Sequence, residues 1–203
     1  MRLALPAGYS KVAALTAMRV IAGIYRSRPL RSMPGLDLRP TADRLRETLF
    51  NVLTAGNPSA LAGTMWVDLF AGTGAVGIEA LSRGAAMVHF VESSAKAADL
   101  VQKNLQALGI TKNFEVLRQD AVRAIGALKK AKADFVFLDP PYRMNEAYQQ
   151  TLEALAASAL LKQDGTVIAE HDKRFDPGEG FGKLQRLRKL EQGDSALSFY
   201  RNA

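Results

Sequence analysis

Asp139-Pro140-Pro141-Tyr142 follows the apolar, β-prone run at 134–138 and is the stretch of this 203-residue chain best suited to chemistry. Successive prolines fix φ at about −65° and remove two N–H donors, so the loop presents acceptors in a rigid frame. A primary amine on a nucleobase has two protons to give, and the Asp139 carboxylate and Pro140 carbonyl can take both. Tyr142 offers a flat face on which the base can stack, a contact worth about 1–3 kcal/mol. An exocyclic aromatic amine is a poor nucleophile because its lone pair is delocalised into the ring. Two acceptors out of the ring plane favour a pyramidal nitrogen and aim that lone pair at an electrophile. Asp139 then stabilises the positive charge that develops on nitrogen.

Residues 72–77 read Gly-Thr-Gly-Ala-Val-Gly, a GxGxxG turn between the strand-like MWVDLF (65–70) and a helical stretch. Glycine admits positive φ and lets a ligand approach the backbone closely. Glu92 ends the next strand-like run, MVHFVE (87–92), where a carboxylate can accept from both hydroxyls of an adenosine ribose. This pattern alone fits a dinucleotide, S-adenosylmethionine, or glycines that merely permit tight strand–helix packing. Asp68 favours S-adenosylmethionine, since its charge suits an ammonium group and would repel a pyrophosphate. Asp120-Ala121 ends a third strand-like run; there an acid can accept from the adenine amino group, or cap a helix. With that cofactor the electrophile is a sulfonium methyl, whose leaving group is a neutral thioether and needs no metal.

The elements that must position these residues alternate. Strands are expected at 65–70, 87–92, 114–120, 134–139 and 166–170. Between them lie helices closed by Gly84, running 95–108 up to Gly109, and running 146–161 ahead of Asp164-Gly165. KLQRLRKLE and SALSFY flank Gly193-Asp194 as a terminal hairpin. This order predicts an α/β fold, a Rossmann-like, mainly parallel seven-stranded sheet with a C-terminal antiparallel hairpin. Upstream, MRVIAGIY (18–25) suggests a short strand or hairpin and Pro34-Gly35 a turn. Thr41 is expected to cap a helix with apolar positions Leu45, Leu49, Val52 and Leu53. Asn57-Pro58-Ser59 ends that unit, which divides the chain into an N-terminal extension, 1–60, and a cofactor-binding catalytic domain, 61–203. His89 and Trp66 are read as core residues, Glu170 as an edge-of-site acid without a role, and 171–182 as irregular.

Charge separates the same two parts. The net charge is +7, and residues 1–60 hold nine basic against three acidic groups, eight of the nine being arginine. Arginine matches phosphate with a planar fork and stacks on bases, so the extension reads as an arm for a polyanion. Its candidate RNA contacts are Arg26, Arg28, Arg31, Arg39, Arg44 and Arg46. Cysteine is absent and histidine occurs twice, which leaves no thiolate chemistry and no expectation of a metal. No apolar run approaches the ~20 residues of a membrane span. Pro6, Gly8 and Lys11 interrupt what would be the apolar core of a secretory leader, and a cytoplasmic protein is expected.

Five segments together carry a family resemblance: MRVIAG (18–23), RPTADRLRETLFN (39–51), VDLFAGTGAVGIEALSRGA (67–85), FVESS (90–94) and LDPPY (138–142). The chain resembles the bacterial 16S rRNA guanine-N2 methyltransferases of the RsmD-like family, which are class I enzymes. The resemblance implies cofactor contacts at Asp68, Phe70, Gly72, Thr73, Gly74, Glu92, Asp120 and Ala121 and target-amine contacts at Asp139, Pro140 and Tyr142. It implies a guanine of 16S rRNA in a partly assembled small subunit as substrate, and it starts after residues 1–17; because a base inside a helix cannot reach the sulfonium, that guanine is expected to be unpaired or extruded. Alternatives weighed are a DNA adenine-N6 or cytosine-N4 methyltransferase built on the same loop, a nicotinamide oxidoreductase, and a non-catalytic RNA-binding assembly factor.

Overall fold

Alternation of side chains along three adjacent strands organises the molecule, because it decides which residues face each layer of helices. The computed structural model describes residues 18–32, 40–141 and 144–203, without the side chains of 40–42. Arg39, Tyr142, the Pro34-Gly35 turn and residues 1–17 lie outside the described residues. The elements run α1 (Pro40–Leu53), β1 (Met65–Leu69), α2 (Ala75–Ser82), β2 (Met87–Val91), α3 (Ala95–Ala107), β3 (Phe114–Leu117), α4 (Ala121–Ala127), β4 (Ala133–Leu138), α5 (Asn145–Ala157), β5 (Leu161–Asp172), β6 (Gly180–Phe181), β7 (Leu184–Gln192) and β8 (Ser195–Asn202). They form one sheet in the order β3-β2-β1-β4-β5-β8-β7-β6. The first five strands are parallel and the last three antiparallel.

Trp66, Phe137 and Ile168 point to one face, where Leu45, Leu49 and Phe50 of α1, Ile78 of α2 and Val101 and Leu105 of α3 cover them. Val67, Leu69, Val136, Leu138 and Val167 point to the other, under Ile125 of α4 and Leu152 and Leu155 of α5. Trp66 is fully buried between Phe50 and Phe135, at 5.4 and 4.7 Å between ring centroids. His89 is buried as expected, with Nδ1 3.0 Å from Glu115 Oε2. No helix among the described residues is long and apolar enough to cross a membrane.

Several boundaries differ from the sequence reading. The helix of α1 begins at Pro40, so Thr41 lies inside it; proline at the first helical position forfeits only an N–H that would be unpaired anyway. Asp164-Gly165 does not end a helix. It lies within the 12-residue β5, where the β4–β5 register shifts between Ala133/Phe135 and Leu161/Thr166. The bulge reads in sequence like a turn because both favour glycine. A two-residue strand, β6, pairs with the start of β7 and makes eight strands rather than seven.

MRVIAG forms no regular strand; a single bridge, Arg19 to Pro29, closes a loop laid on α2. Glu79, fully buried, accepts from Ile21 N (2.7 Å) and Ala22 N (2.9 Å) as well as from Arg83 Nε (2.8 Å). Gly23, at φ +81°, approaches so closely that a Cβ would stand 1.9 Å from Ser82 O. Val20 and Leu30 of this loop and α1 join the core that α2 and α3 cover. Glu79→Ala strands two backbone donors at about 1–3 kcal/mol each. The expected result is a urea midpoint lowered by a matching amount and new proteolysis within 18–32; an unchanged midpoint would deny Glu79 this anchoring role.

Candidate active site

The strand order reverses between β1 and β4, and open parallel sheets bind ligands beyond the carboxyl ends of strands at such a point. Asp68 pairs across to Phe137, and Phe137 to Ile168. Two residues beyond Phe137 and Ile168 come Asp139 and Glu170, so all three acids fall on the face covered by α1. They line one cavity of ≈230 Å³ together with Met18, Arg46, Phe70, Gly72 and Thr73. Glu170 therefore joins the site by alternation along β5, a signal already present in the sequence.

The glycine turn divides its labour. Phe70 N and Ala71 N both donate to Val91 O, at 3.0 and 2.9 Å, which turns the chain out of β1. Gly72 and Gly74 hold φ of +56° and +78°, values that side chains rarely adopt. Gly77 serves packing, since a Cβ there would lie 2.3 Å from Phe90 Cε1. Asp68 Oδ2 accepts from Gly77 N at 3.0 Å and ties the strand to the first turn of α2. Glu92 bridges the turn to α3, accepting from Gly72 N (2.9 Å) and Ser94 N (2.8 Å).

Asp120 is exposed and caps α4, its Oδ1 accepting from Val122 N and Arg123 N at 2.9 and 3.3 Å. It and the buried Ala121 sit two strands away from β1, outside the lining of the cavity. At the other end, the buried Tyr148 hydroxyl lies 2.8 Å from Glu170 O and 3.4 Å from Pro140 O, linking the proline loop to the end of β5. Asn104, also buried, binds Arg31 through N and O and donates to Thr73 O at 2.9 Å. Tyr148 and Asn104 hold the site from within helices, where nothing in the sequence marks them.

Of the arginines read as one group, the structure separates Arg46 from the rest. Arg26, Arg28, Arg31 and Arg44 are exposed. Arg46 is only 6% exposed, lines the cavity, and donates from Nη2 to Arg19 O (2.7 Å) and Asp43 Oδ1 (2.9 Å). Arg19, which the sequence reading did not single out, joins Arg26 and Arg44 around a groove of ≈510 Å³ that also holds Asp43 and Glu47. Among the described residues no cluster of His, Asp and Glu is arranged to hold a metal ion.

Burial raises the proton affinity of two of these acids, Asp68 and Asp139, and neighbouring carboxylates add to it. Burial, followed at a distance by the charge of Glu92, lifts Asp68 to about 7 even though the Gly77 N–H pulls it down. Asp139 is raised well above the carboxylate range by burial first, then by Glu170 and Asp68. Such a site is poised for a cation, which would restore the ionised forms.

The family model described as Conserved hypothetical protein 95 matches residues 18–201. The chain belongs to this family, that of small-subunit rRNA methyltransferase D. Ribosomal RNA small subunit methyltransferase D of Haemophilus influenzae is 37% identical over 158 residues, 77% of this chain and 79% of its own length. Bacillus subtilis YlbH is 38% identical over 91% of this chain and 98% of its own. A solved Escherichia coli chain, 30% identical, superimposes with a TM-score of 0.74 and covers 92% of this chain and 98% of that one.

A carboxyl raised in the native state binds more protons there than when unfolded, so Asp68 subtracts stability as pH rises from about 4 through 7. Asp68→Asn removes that loss. In the absence of ligand it should be more stable than the parent at pH 8, by at most about 4 kcal/mol, with the two converging near pH 4. Thermal melts across that range check this, and a variant less stable at pH 8 would contradict it.

Proposed function

We propose that this chain transfers a methyl group from S-adenosylmethionine to the exocyclic N2 of a guanine in 16S rRNA. Family membership supports an rRNA methyltransferase of the small subunit. The observation that carries the reading is the meeting of Asp68, Asp139 and the glycine turn in one cavity at the switch point of the sheet. The residues present fit the cofactor: three acids suit its two positive groups, and Gly72 opens its turn without a neighbour closer than 3.9 Å where a Cβ would stand.

Bound S-adenosylmethionine supplies a methyl group on a sulfonium, whose leaving group is a neutral thioether. Asp68 would hold the ammonium of the methionine moiety. Phe70, Gly72, Thr73 and Gly74 would shape the turn against it, Glu92 would take the ribose hydroxyls, and Asp120 with Ala121 would hold the adenine. Asp139 and the Pro140 carbonyl each accept one N2 proton of guanine and hold the nitrogen lone pair out of the ring plane. Asp139 must be ionised to accept, and cationic charge nearby offsets the burial, and the repulsion from Glu170 and Asp68, that oppose ionisation. After transfer the nitrogen is a strong acid, and its proton passes to Asp139. Tyr142 stacks on the base.

A base inside a duplex cannot reach this cavity, so the guanine is unpaired or extruded. Arg19, Arg26 and Arg44 around their groove, with Arg28, Arg31 and Arg39, take the flanking phosphates, and residues 18–60 act as the RNA arm. A small subunit still in assembly offers such a base, and the reaction is cytoplasmic.

Transfer of labelled methyl to naked 16S rRNA, assembly intermediates and mature subunits, followed by nucleoside analysis, should yield N2-methylguanosine. Label in duplex DNA instead would overturn the substrate. Asp139→Asn should lower kcat by about 10²-fold or more, a far larger factor than its loss of cofactor affinity in calorimetry; equal losses in both would remove it from the target side. Arg26→Gln combined with Arg44→Gln should raise the RNA KM. The same pair should flatten the log–log salt slope by about 1.4, at roughly 0.7 per phosphate contact on single strands; an unaltered slope assigns the groove elsewhere.

A further inference from the structure

Arg46 is satisfied on one side only. Its Nη2 donates to Arg19 O and Asp43 Oδ1, whereas Nε is buried and has no hydrogen-bond partner. A buried donor without an acceptor is costly, more so on a charged group. Arg46 is also the one basic residue among the described residues that line the cavity, which offers three carboxylates besides.

The charges of S-adenosylmethionine match that inventory: an ammonium, a sulfonium and a single carboxylate. Its cations have three acids to choose from, and its anion has one cationic side chain. A guanidinium N–H to a carboxylate is a charge-assisted hydrogen bond, stronger than its neutral counterparts. A polynucleotide phosphate, carrying a sugar on either side, meets the exposed arginines before one that is 6% exposed. Resting on the cofactor reading above, we propose that the Arg46 guanidinium, whose Nε has no acceptor, receives the methionine carboxylate of S-adenosylmethionine, which moves Arg46 from the RNA arm to the cofactor site. The same guanidinium that grips the ligand then also grips the backbone of Arg19, next to the arginine groove.

Calorimetry of the full chain with S-adenosylmethionine and with its decarboxylated analogue, which lacks only the carboxylate, tests this. Arg46→Met should weaken S-adenosylmethionine by roughly 10- to 100-fold and leave the analogue unchanged, so that the parent's preference for the carboxylate disappears. Arg46→Lys should keep part of that preference, and it is read instead if Arg46→Met does not melt cooperatively above the assay temperature. A folded variant that loses both ligands equally, or keeps both while its RNA KM rises, overturns the proposal. Failure of the parent to bind S-adenosylmethionine is a separate result and would overturn the cofactor reading itself.

Discussion

Three carboxylates crowded onto one face of a sheet, opposite a single guanidinium, are the constraint on which the site depends. In the absence of a ligand, burial pushes Asp68 and Asp139 toward their neutral forms, helped by the charge of Glu92 on the first and of Glu170 and Asp68 on the second. A cation entering the cavity shifts the balance back, because opposite charge nearby favours the ionised carboxylates. The arrangement is unfavourable for the bare protein and favourable only once occupied, which is how binding sites commonly trade stability for function.

That constraint explains the support around it. Tyr148 joins the proline loop to the end of β5, Glu92 joins the glycine turn to α3, and Asp68 is tied to the first turn of α2. Groups that repel one another drift apart unless the backbone is over-determined, and these bonds prevent that drift. The N-terminal loop belongs to the same scheme. Glu79 and Asn104 carry it across α2 and α3, and α1 sets Arg46 over the acids. The described part of the extension thus shares its core with the sheet and supplies one wall of the cavity.

The strand–helix alternation and the glycine turn were legible because each depends on local chemistry: periodicity and positive φ. Gly165 was misread because a bulge inside β5 and a turn before it use the same residue. Of the short strand or hairpin expected at 18–25, the structure keeps the hairpin contact, an antiparallel bridge from Arg19 to Pro29. Beyond it Glu79, fifty-eight residues from Ile21 along the chain, takes the Ile21 and Ala22 N–H groups that a longer strand would have given to a partner.

The amino-acid order by itself determined which chemical groups this protein has and on which side of each strand they fall, since alternation is a property of the backbone. Tertiary structure alone decided which of them meet. Arg46 looks in sequence like its neighbours Arg39 and Arg44. Only the docking of α1 on the face that holds Asp68, Asp139 and Glu170 buries it in a cavity, because burial depends on what packs against a residue.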